Sequence, residues 1–261
     1  MSEKIISRNE NGIGWIIFNN VEKRNAVSLA MAKRVAEVIR EFEENEDIRV
    51  LIVKGEGGKA FVSGADISEF EELRSTPEGI KLYADTTDQM YHGLRNCRKA
   101  TIAMIQGYCM GGGVAVACAC DFRICSTDTV FAVPAARLGI AYGPHFSRWV
   151  VEAVGPSSAK EILMTARRYS GEQALSLGLV NHMVEISEIE DFTVEYAMTI
   201  ANNAPFSVSA AKAIVNQVSK SPVDWDQDLC REWMRKCTSS KDYKEGRHAF
   251  MEKRQPEFKG V

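Results

Sequence analysis

The middle of the chain reads Thr101-Ile102-Ala103-Met104-Ile105-Gln106-Gly107-Tyr108-Cys109-Met110-Gly111-Gly112-Gly113-Val114-Ala115-Val116-Ala117-Cys118-Ala119-Cys120. Its apolar, partly β-branched beginning, 101–105, predicts a buried strand. The three glycines predict a tight turn, and the small apolar residues 114–120 predict a buried helix that begins there. Residues 121–125 resume as a strand, so this stretch predicts an α/β fold with the order strand, glycine turn, helix, strand.

Both flanks of this stretch extend the same pattern. Strands predicted at 14–18 and 50–53 enclose a helix that Ser28 caps and that runs to Asn45, which indicates a right-handed βαβ crossover. Further helices are predicted at 66–74, 77–96, 157–165, 171–177, 187–203 and 206–219, followed by one or two amphipathic helices near the end of the chain.

Composition excludes several classes of partner. The formal net charge of −3, from 32 basic and 35 acidic residues, gives no reason to expect nucleic acid or an anionic membrane as a partner. No uncharged run approaches the roughly 18 to 20 residues that span a bilayer, and the first residues do not resemble a signal peptide, so a cytoplasmic protein is expected. The seven cysteines form no C-x-x-C pair. We therefore expect no metal site and free thiols that act as small buried hydrophobes, as at Cys118 and Cys120.

The glycine turn is a candidate anion site. Amides at the start of a helix point outward together with the positive end of the helix dipole, so an oxyanion or a phosphate would be stabilised there. Tight packing of the turn against a neighbouring element explains an isolated triple glycine equally well.

The sequence resembles the crotonase (enoyl-CoA hydratase/isomerase) superfamily over nearly its whole length. The order and spacing of several segments carry this resemblance, namely Lys23-Arg24-Asn25-Ala26, Phe61-Val62-Ser63-Gly64-Ala65-Asp66-Ile67, the glycine turn, Phe131-Ala132-Val133-Pro134 with Leu138-Gly139, 174–180 and 245–254. The resemblance implies a spiral of ββα turns over 1–200 and a helical region over 201–261 that belongs to the same functional unit. It further implies assembly into homotrimers or hexamers.

The resemblance also implies an acyl-CoA substrate, with no cofactor beyond the coenzyme A that the substrate carries. The backbone amides of Ala65 and Gly112 would hold the thioester oxygen and stabilise an enolate. The residues expected around coenzyme A are Lys23 and Arg24 at its phosphates, Ala26, Ser63, Asp66 and Ile67 along its pantetheine and adenine, and Lys253 reaching the coenzyme A of a neighbouring subunit.

One departure from the family concerns the groups that move protons. Hydratases of the family carry two glutamates, and ungapped spacing places Ala115 and Ala135 at those positions. Tyr142 and His145, in the loop that lines the acyl pocket of relatives, are the candidate replacements. Three functions therefore remain open: an enolate-forming hydratase/isomerase-type enzyme, an acyl-CoA decarboxylase on the same scaffold, and a protein that binds CoA thioesters without turning them over.

Overall fold

A computed structural model describes residues 3–69 and 75–261 of the chain. Its strands are β1 Ile5–Glu10, β2 Ile13–Phe18, β3 Val50–Gly55, β4 Ala60–Val62, β5 Ala100–Ile105, β6 Tyr108–Met110, β7 Phe122–Ser126, β8 Val130–Ala132, β9 Tyr169–Ser170 and β10 His182–Val184. Its α-helices are α1 Leu29–Glu44, α2 Pro77–Asn96, α3 Gly112–Ala119, α4 Pro144–Thr165, α5 Gly171–Leu177, α6 Ile189–Ala201, α7 Pro205–Val218, α8 Gln227–Ser239 and α9 Lys241–Glu252.

The first helix shows how the sequence specifies its elements. Ser28 is extended and its Oγ accepts a hydrogen bond from the amide of Met31 at 3.3 Å, so α1 begins where the sequence predicts. Met31, Val35 and Phe42 follow at helical spacing and are all buried. The apolar stripe of α1 therefore faces the core, and α1 packs against α2.

Two sheets form the centre of the molecule. The six-stranded sheet has the order β1-β2-β3-β5-β7-β10, and its pairs are parallel except for the β1–β2 hairpin. The four-stranded sheet has the order β4-β6-β8-β9, in which β4, β6 and β8 run parallel. Each successive pair, β3–β4, β5–β6 and β7–β8, gives one strand to each sheet before a helix follows. This is the ββα spiral expected from the resemblance, and the α/β class is confirmed.

The spiral determines where loops meet. Because β4, β6 and β8 are parallel neighbours, the residues that follow them lie at one edge of the small sheet. Those residues are Ser63 to Asp66, Gly111 to Gly113, and Val133 to Ala135. The predicted site segments, far apart in sequence, are thereby brought together.

The helices after residue 185 cover one face of the large sheet and then leave it. Helix α6 contacts β3, β5 and β7, whereas α7, α8 and α9 contact mainly one another. The boundary that the sequence analysis placed between residues 200 and 201 falls at the end of α6 and stays a prediction. In the described part of the chain, no helix is both long enough and apolar enough to cross a membrane.

Several elements differ from the sequence-based prediction. Strand β1 and the short strands of the small sheet were not predicted. Helix α4 contains a break at Gly155, whose φ of 74° and ψ of 165° are not helical. The stretch after this break agrees with the helix predicted at 157–165, whereas the stretch that begins at Pro144 was not predicted. Of the helix predicted at 66–74, residues Ile67–Glu69 form a 3₁₀ turn. The remainder, 70–74, lies outside the described residues.

Candidate active site

The glycine turn has a backbone conformation that requires glycine. Gly111 has φ 51° and ψ −112°, and its amide donates to the carbonyl of Ala132 at 2.8 Å. Helix α3 begins at Gly112, so the first amides of the helix have no partner within it. A Cβ on Gly113 would lie 2.1 Å from the carbonyl oxygen of Val62, so Gly113 serves the close packing of α3 on β4. Gly113 thus allows close packing, whereas Gly112 supplies an amide that has no partner within the helix.

Ala65 is the second predicted backbone donor. Val27 donates to the carbonyl of Gly64 at 2.8 Å and accepts from the amide of Asp66 at 2.9 Å, in an isolated parallel bridge. In such a bridge the residue between the two bonded groups turns its own N–H away from the partner strand. The amide of Ala65 therefore points away from Val27. A Cβ on Gly112 would lie 3.7 Å from this nitrogen, so the two predicted donors are brought together.

Two tyrosine hydroxyls face the same turn. Oη of Tyr142 lies 3.1 Å from the position that a Cβ on Gly111 would occupy. Oη of Tyr91, from α2, lies 3.1 Å from the corresponding position at Gly112. Sequence reasoning selected Tyr142 and missed Tyr91. A signal was available, because Tyr91 lies three residues before the buried Leu94, a spacing that puts both on one side of a helix.

Alanines are predicted, from ungapped spacing, at the positions of the family's glutamates. Ala115 is 1% exposed and Ala135 is 7% exposed, so both methyl groups are buried against the core. Neither can accept or donate a proton. Proton transfer at this site must therefore depend on other side chains or on water.

His145 lies in an aromatic cluster with His92 and Trp149. The two histidine rings are 4.6 Å apart at nearly a right angle, and both approach the buried ring of Trp149, at 5.5 Å for His92 and 6.5 Å for His145. Burial, followed by the charge of His145, lowers the pKa of His92 despite the opposing effect of Asp88. Trp149 also contacts Tyr91 at 6.3 Å. The structure thus places His145 one aromatic ring away from Tyr91.

The residues predicted to surround coenzyme A form one cluster, except for Lys253. Ser63 donates from its amide to the carbonyl of Arg24 and from its Oγ to the carbonyl of Lys23, both at 3.2 Å. Lys23 Nζ lies 2.7 Å from Oδ2 of Asp66, and Arg24 packs over the ring of Tyr108 at 5.4 Å. Ala26 is buried beside this cluster, and Ile67 follows it with 66% exposure.

The carboxylate of Asp66 is held in its charged form. Burial opposes ionisation, but hydrogen bonds from Lys23 and Ser68 outweigh it and keep the pKa of Asp66 below its usual value. Lys253 is exposed at the end of α9, with φ 54°. Its predicted role concerns a neighbouring subunit and stays a prediction.

Comparison with known proteins gives a consistent result. The family model described as enoyl-CoA hydratase/isomerase matches residues 8–261. A short-chain-enoyl-CoA hydratase from Clostridium acetobutylicum is 33% identical over 253 residues, which cover 97% of this chain and 96% of that protein. A carnitinyl-CoA dehydratase from Proteus mirabilis is 35% identical over 245 residues, covering 91% and 92%.

Solved structures agree over the full length. An enoyl-CoA hydratase from Bacillus anthracis superposes with a TM-score of 0.92 at 29% identity, covering 99% of this chain and 100% of that one. An enoyl-CoA hydratase/carnithine racemase from Magnetospirillum magneticum gives a TM-score of 0.91 at 30% identity, covering 100% and 97%.

Proposed function

The chain belongs to the enoyl-CoA hydratase/isomerase family and is an acyl-CoA-transforming enzyme, and we propose that it works through a thioester enolate. The amides of Ala65 and Gly112 would hold the enolate oxygen. The single observation that supports this proposal is the closeness of Gly112 to Ala65, since a Cβ on Gly112 would lie 3.7 Å from the nitrogen of Ala65.

The chemistry of the proposal is that of an oxyanion hole. When a proton or carboxylate leaves the α-carbon of a thioester, negative charge collects on the carbonyl oxygen. Two fixed amides aimed at that oxygen stabilise it more than the neutral ground state, and each such donor is typically worth about 10²- to 10³-fold in rate. The positive end of helix α3 acts in the same direction. Both donors belong to the backbone, so the site does not depend on side chains at 65 and 112.

Tyr142 and His145 are the proposed proton-transfer or substrate-orienting groups. Tyr142 has its hydroxyl at the glycine turn, where it can orient water or the acyl group. His145 is exposed at the start of α4, and histidine is the side chain that most often transfers protons in enzymes. Relatives at 33% and 35% identity are named hydratase and dehydratase, which favours a lyase reaction that adds or removes water.

A decarboxylase is the second candidate. The observation that favours it is the pair of buried methyl groups at Ala115 and Ala135, beside a turn that keeps its backbone donors and the hydroxyl of Tyr142. Loss of carbon dioxide requires an oxyanion hole and an orienting group, but no base at the α-carbon.

Isotope exchange tests the enolate. The enzyme is incubated with butyryl-CoA in deuterated water, and incorporation of deuterium at the α-carbon is followed by mass spectrometry. Exchange above the buffer rate supports the proposal, whereas bound butyryl-CoA without exchange, together with no turnover of any thioester in the panel below, contradicts it and favours a non-catalytic binding protein. A panel of enoyl- and carboxyacyl-CoA thioesters then separates the two reactions, because the product differs from the substrate by water or by carbon dioxide.

The cluster around Lys23 is the proposed contact for the coenzyme A phosphates. Lys23 and Arg24 are exposed cations beside the loop that carries Ala65, and phosphates attract both. The proposal extends to Ala26, Ser63, Asp66 and Ile67 as the wall along pantetheine and adenine. Calorimetry with coenzyme A should show weaker binding for Lys23→Ala, Arg24→Ala. An exposed pair on α1, Lys33→Ala, Arg40→Ala, removes the same charge elsewhere and is the control.

The proposal includes a homotrimer or hexamer, a cytoplasmic location, and no cofactor beyond the substrate's coenzyme A. Supporting the assembly, α9 exposes Phe250 by 82% and Met251 by 80%, and both line a cavity of about 740 Å³ shared with α8. In this assembly Lys253 would contact a neighbour's coenzyme A. Light scattering of the purified protein measures the number of subunits, and a monomeric mass would contradict this part of the proposal.

A further inference from the structure

We propose that Tyr91 is a further catalytic residue, whose phenolic hydroxyl donates a third hydrogen bond to the thioester oxygen beside the amides of Ala65 and Gly112. This inference rests on the proposed enolate chemistry and assigns one more group to it.

The position of the hydroxyl is the first observation. One point in space, where a Cβ on Gly112 would be, lies 3.1 Å from Oη of Tyr91 and 3.7 Å from the nitrogen of Ala65. An atom of that size would touch both groups. Because residue 112 is glycine, no side chain of its own stands between the hydroxyl and the amide. The hydroxyl and the amide therefore approach the same space from different elements, α2 and the loop after β4.

The second observation is that the hydroxyl is not otherwise engaged. Within residues 3–69 and 75–261, Oη of Tyr91 has no hydrogen-bond partner, although its ring packs against the core. A phenol that is mostly surrounded by protein usually satisfies its hydroxyl. A ligand oxygen at the glycine turn would supply the partner.

The ring is held so that the hydroxyl needs no rearrangement. Its flanking residues on α2, Met90 and Leu94, are fully buried. The ring makes an edge contact with Trp149, with centroids 6.3 Å apart and planes at 66°. A donor that is fixed before the reaction stabilises developing charge without paying for reorientation.

The protonation state suits a donor. Burial, together with smaller contributions from Tyr83, Tyr142 and Asp88, raises the pKa of Tyr91, so the phenol keeps its proton at neutral pH. A neutral phenol can donate a hydrogen bond to an oxyanion but is a poor base.

The test is Tyr91→Phe, which removes the hydroxyl and keeps the ring against Trp149. The rate of α-deuterium exchange into butyryl-CoA should fall about 10²- to 10³-fold, the effect of losing one oxyanion donor. The affinity for butyryl-CoA and the thermal midpoint should stay close to those of the wild type. Tyr196→Phe is the matched control, because Tyr196 is partly buried on α6, against Phe122 of the large sheet, and should leave exchange unchanged.

A second readout reports the hydrogen bond itself. Binding of butyryl-CoA labelled with ¹³C at the carbonyl should lower the carbonyl stretching frequency in infrared difference spectra, and Tyr91→Phe should restore part of that shift. A purely structural role of Tyr91 would reduce stability and leave the frequency unchanged.

The outcomes separate the two proposals. Wild-type exchange that survives Tyr91→Phe, with an unchanged carbonyl frequency, overturns the role of Tyr91 and leaves the enolate proposal standing. Absence of both exchange and turnover of the thioester panel in the wild type, despite binding, overturns both. If Tyr91→Phe lowers both the exchange rate and the thermal midpoint and leaves the carbonyl frequency unchanged, the assignment is also overturned, because Tyr91 then acts through packing.

Discussion

Gly112→Ala should abolish enolate formation without unfolding the protein. The added methyl group would stand 3.1 Å from Oη of Tyr91 and 3.7 Å from the nitrogen of Ala65. It would stand between these two groups and crowd the neighbouring space in which we propose that the thioester oxygen binds. The backbone tolerates the change, since Gly112 is the first residue of α3 and does not have a positive φ.

The substitution should affect activity and stability differently. If the added methyl group keeps the thioester oxygen away, the oxygen loses one or both of its amide donors. Deuterium exchange into butyryl-CoA should then fall by at least about 10²- to 10³-fold. Stability should change little, because alanine is favoured over glycine in a helix by roughly 0.5–1 kcal/mol and the tight contact is with a side-chain hydroxyl that can move by a few tenths of an ångström. Affinity for free coenzyme A, which lacks the acyl group, should be retained.

The neighbouring glycine is the control. In Gly113→Ala the methyl group would lie 2.1 Å from the carbonyl oxygen of Val62, a backbone atom that cannot yield without moving β4. Overpacking of this kind typically costs about 1–3 kcal/mol, or roughly 2–12 °C in a protein of this size. Deuterium exchange and differential scanning fluorimetry measure both variants. Full exchange activity in a folded Gly112→Ala variant would refute the placement of the oxyanion.

Two further predictions concern a buried ion pair and a pair of imidazoles. The carboxylate of Asp121 lies 2.8 Å from Nζ of Lys212 and also accepts a hydrogen bond from the amide of Thr101. In Asp121→Ala, the side chain of Lys212, which is 9% exposed, would lose its anionic partner and keep only backbone carbonyls, so urea unfolding should show a loss of about 3–5 kcal/mol. A loss below 1 kcal/mol would contradict the burial of the pair. The folded-state pKa of His92 lies below its unfolded value, so its contribution to stability is complete above the unfolded pKa and is lost as the pH falls. His145→Ala removes a neighbouring positive charge and should raise the pKa of His92 in an NMR titration, and an unchanged value would show that burial alone sets it.

The four central strands of the large sheet, β2, β3, β5 and β7, were predictable because each has five or six mostly buried residues. Strands over 50–53 and 101–105 and the helix over 77–96 lie where the sequence indicates. The small sheet was not predictable from the sequence. Its strands, such as Tyr108–Met110, have two or three residues, which are too few to show the alternation of apolar and polar residues that identifies a strand. Parallel pairing of those short strands, a tertiary effect, is what brings residues 64–66 to the glycine turn.

Within the candidate site, the backbone donors followed from the resemblance, whereas the side chains around them did not. The sequence selects Tyr142 because it lies in a family loop. Tyr91 is on an ordinary amphipathic helix, and only the rotation of α2 against α3 shows that its hydroxyl reaches Gly112. The approach of His92 to His145 likewise depends on the crossing of two helices.

The parallel bridge between Val27 and Ala65 has a consequence for how such an enzyme changes over evolutionary time. A codon change can delete a carboxylate or an imidazole, but only a codon for proline deletes a peptide N–H. Catalysts that depend on amides can therefore lose and regain their proton-carrying side chains one at a time and still polarise a carbonyl at each step. Lineages can cross from one reaction to another without passing through an inert ancestor.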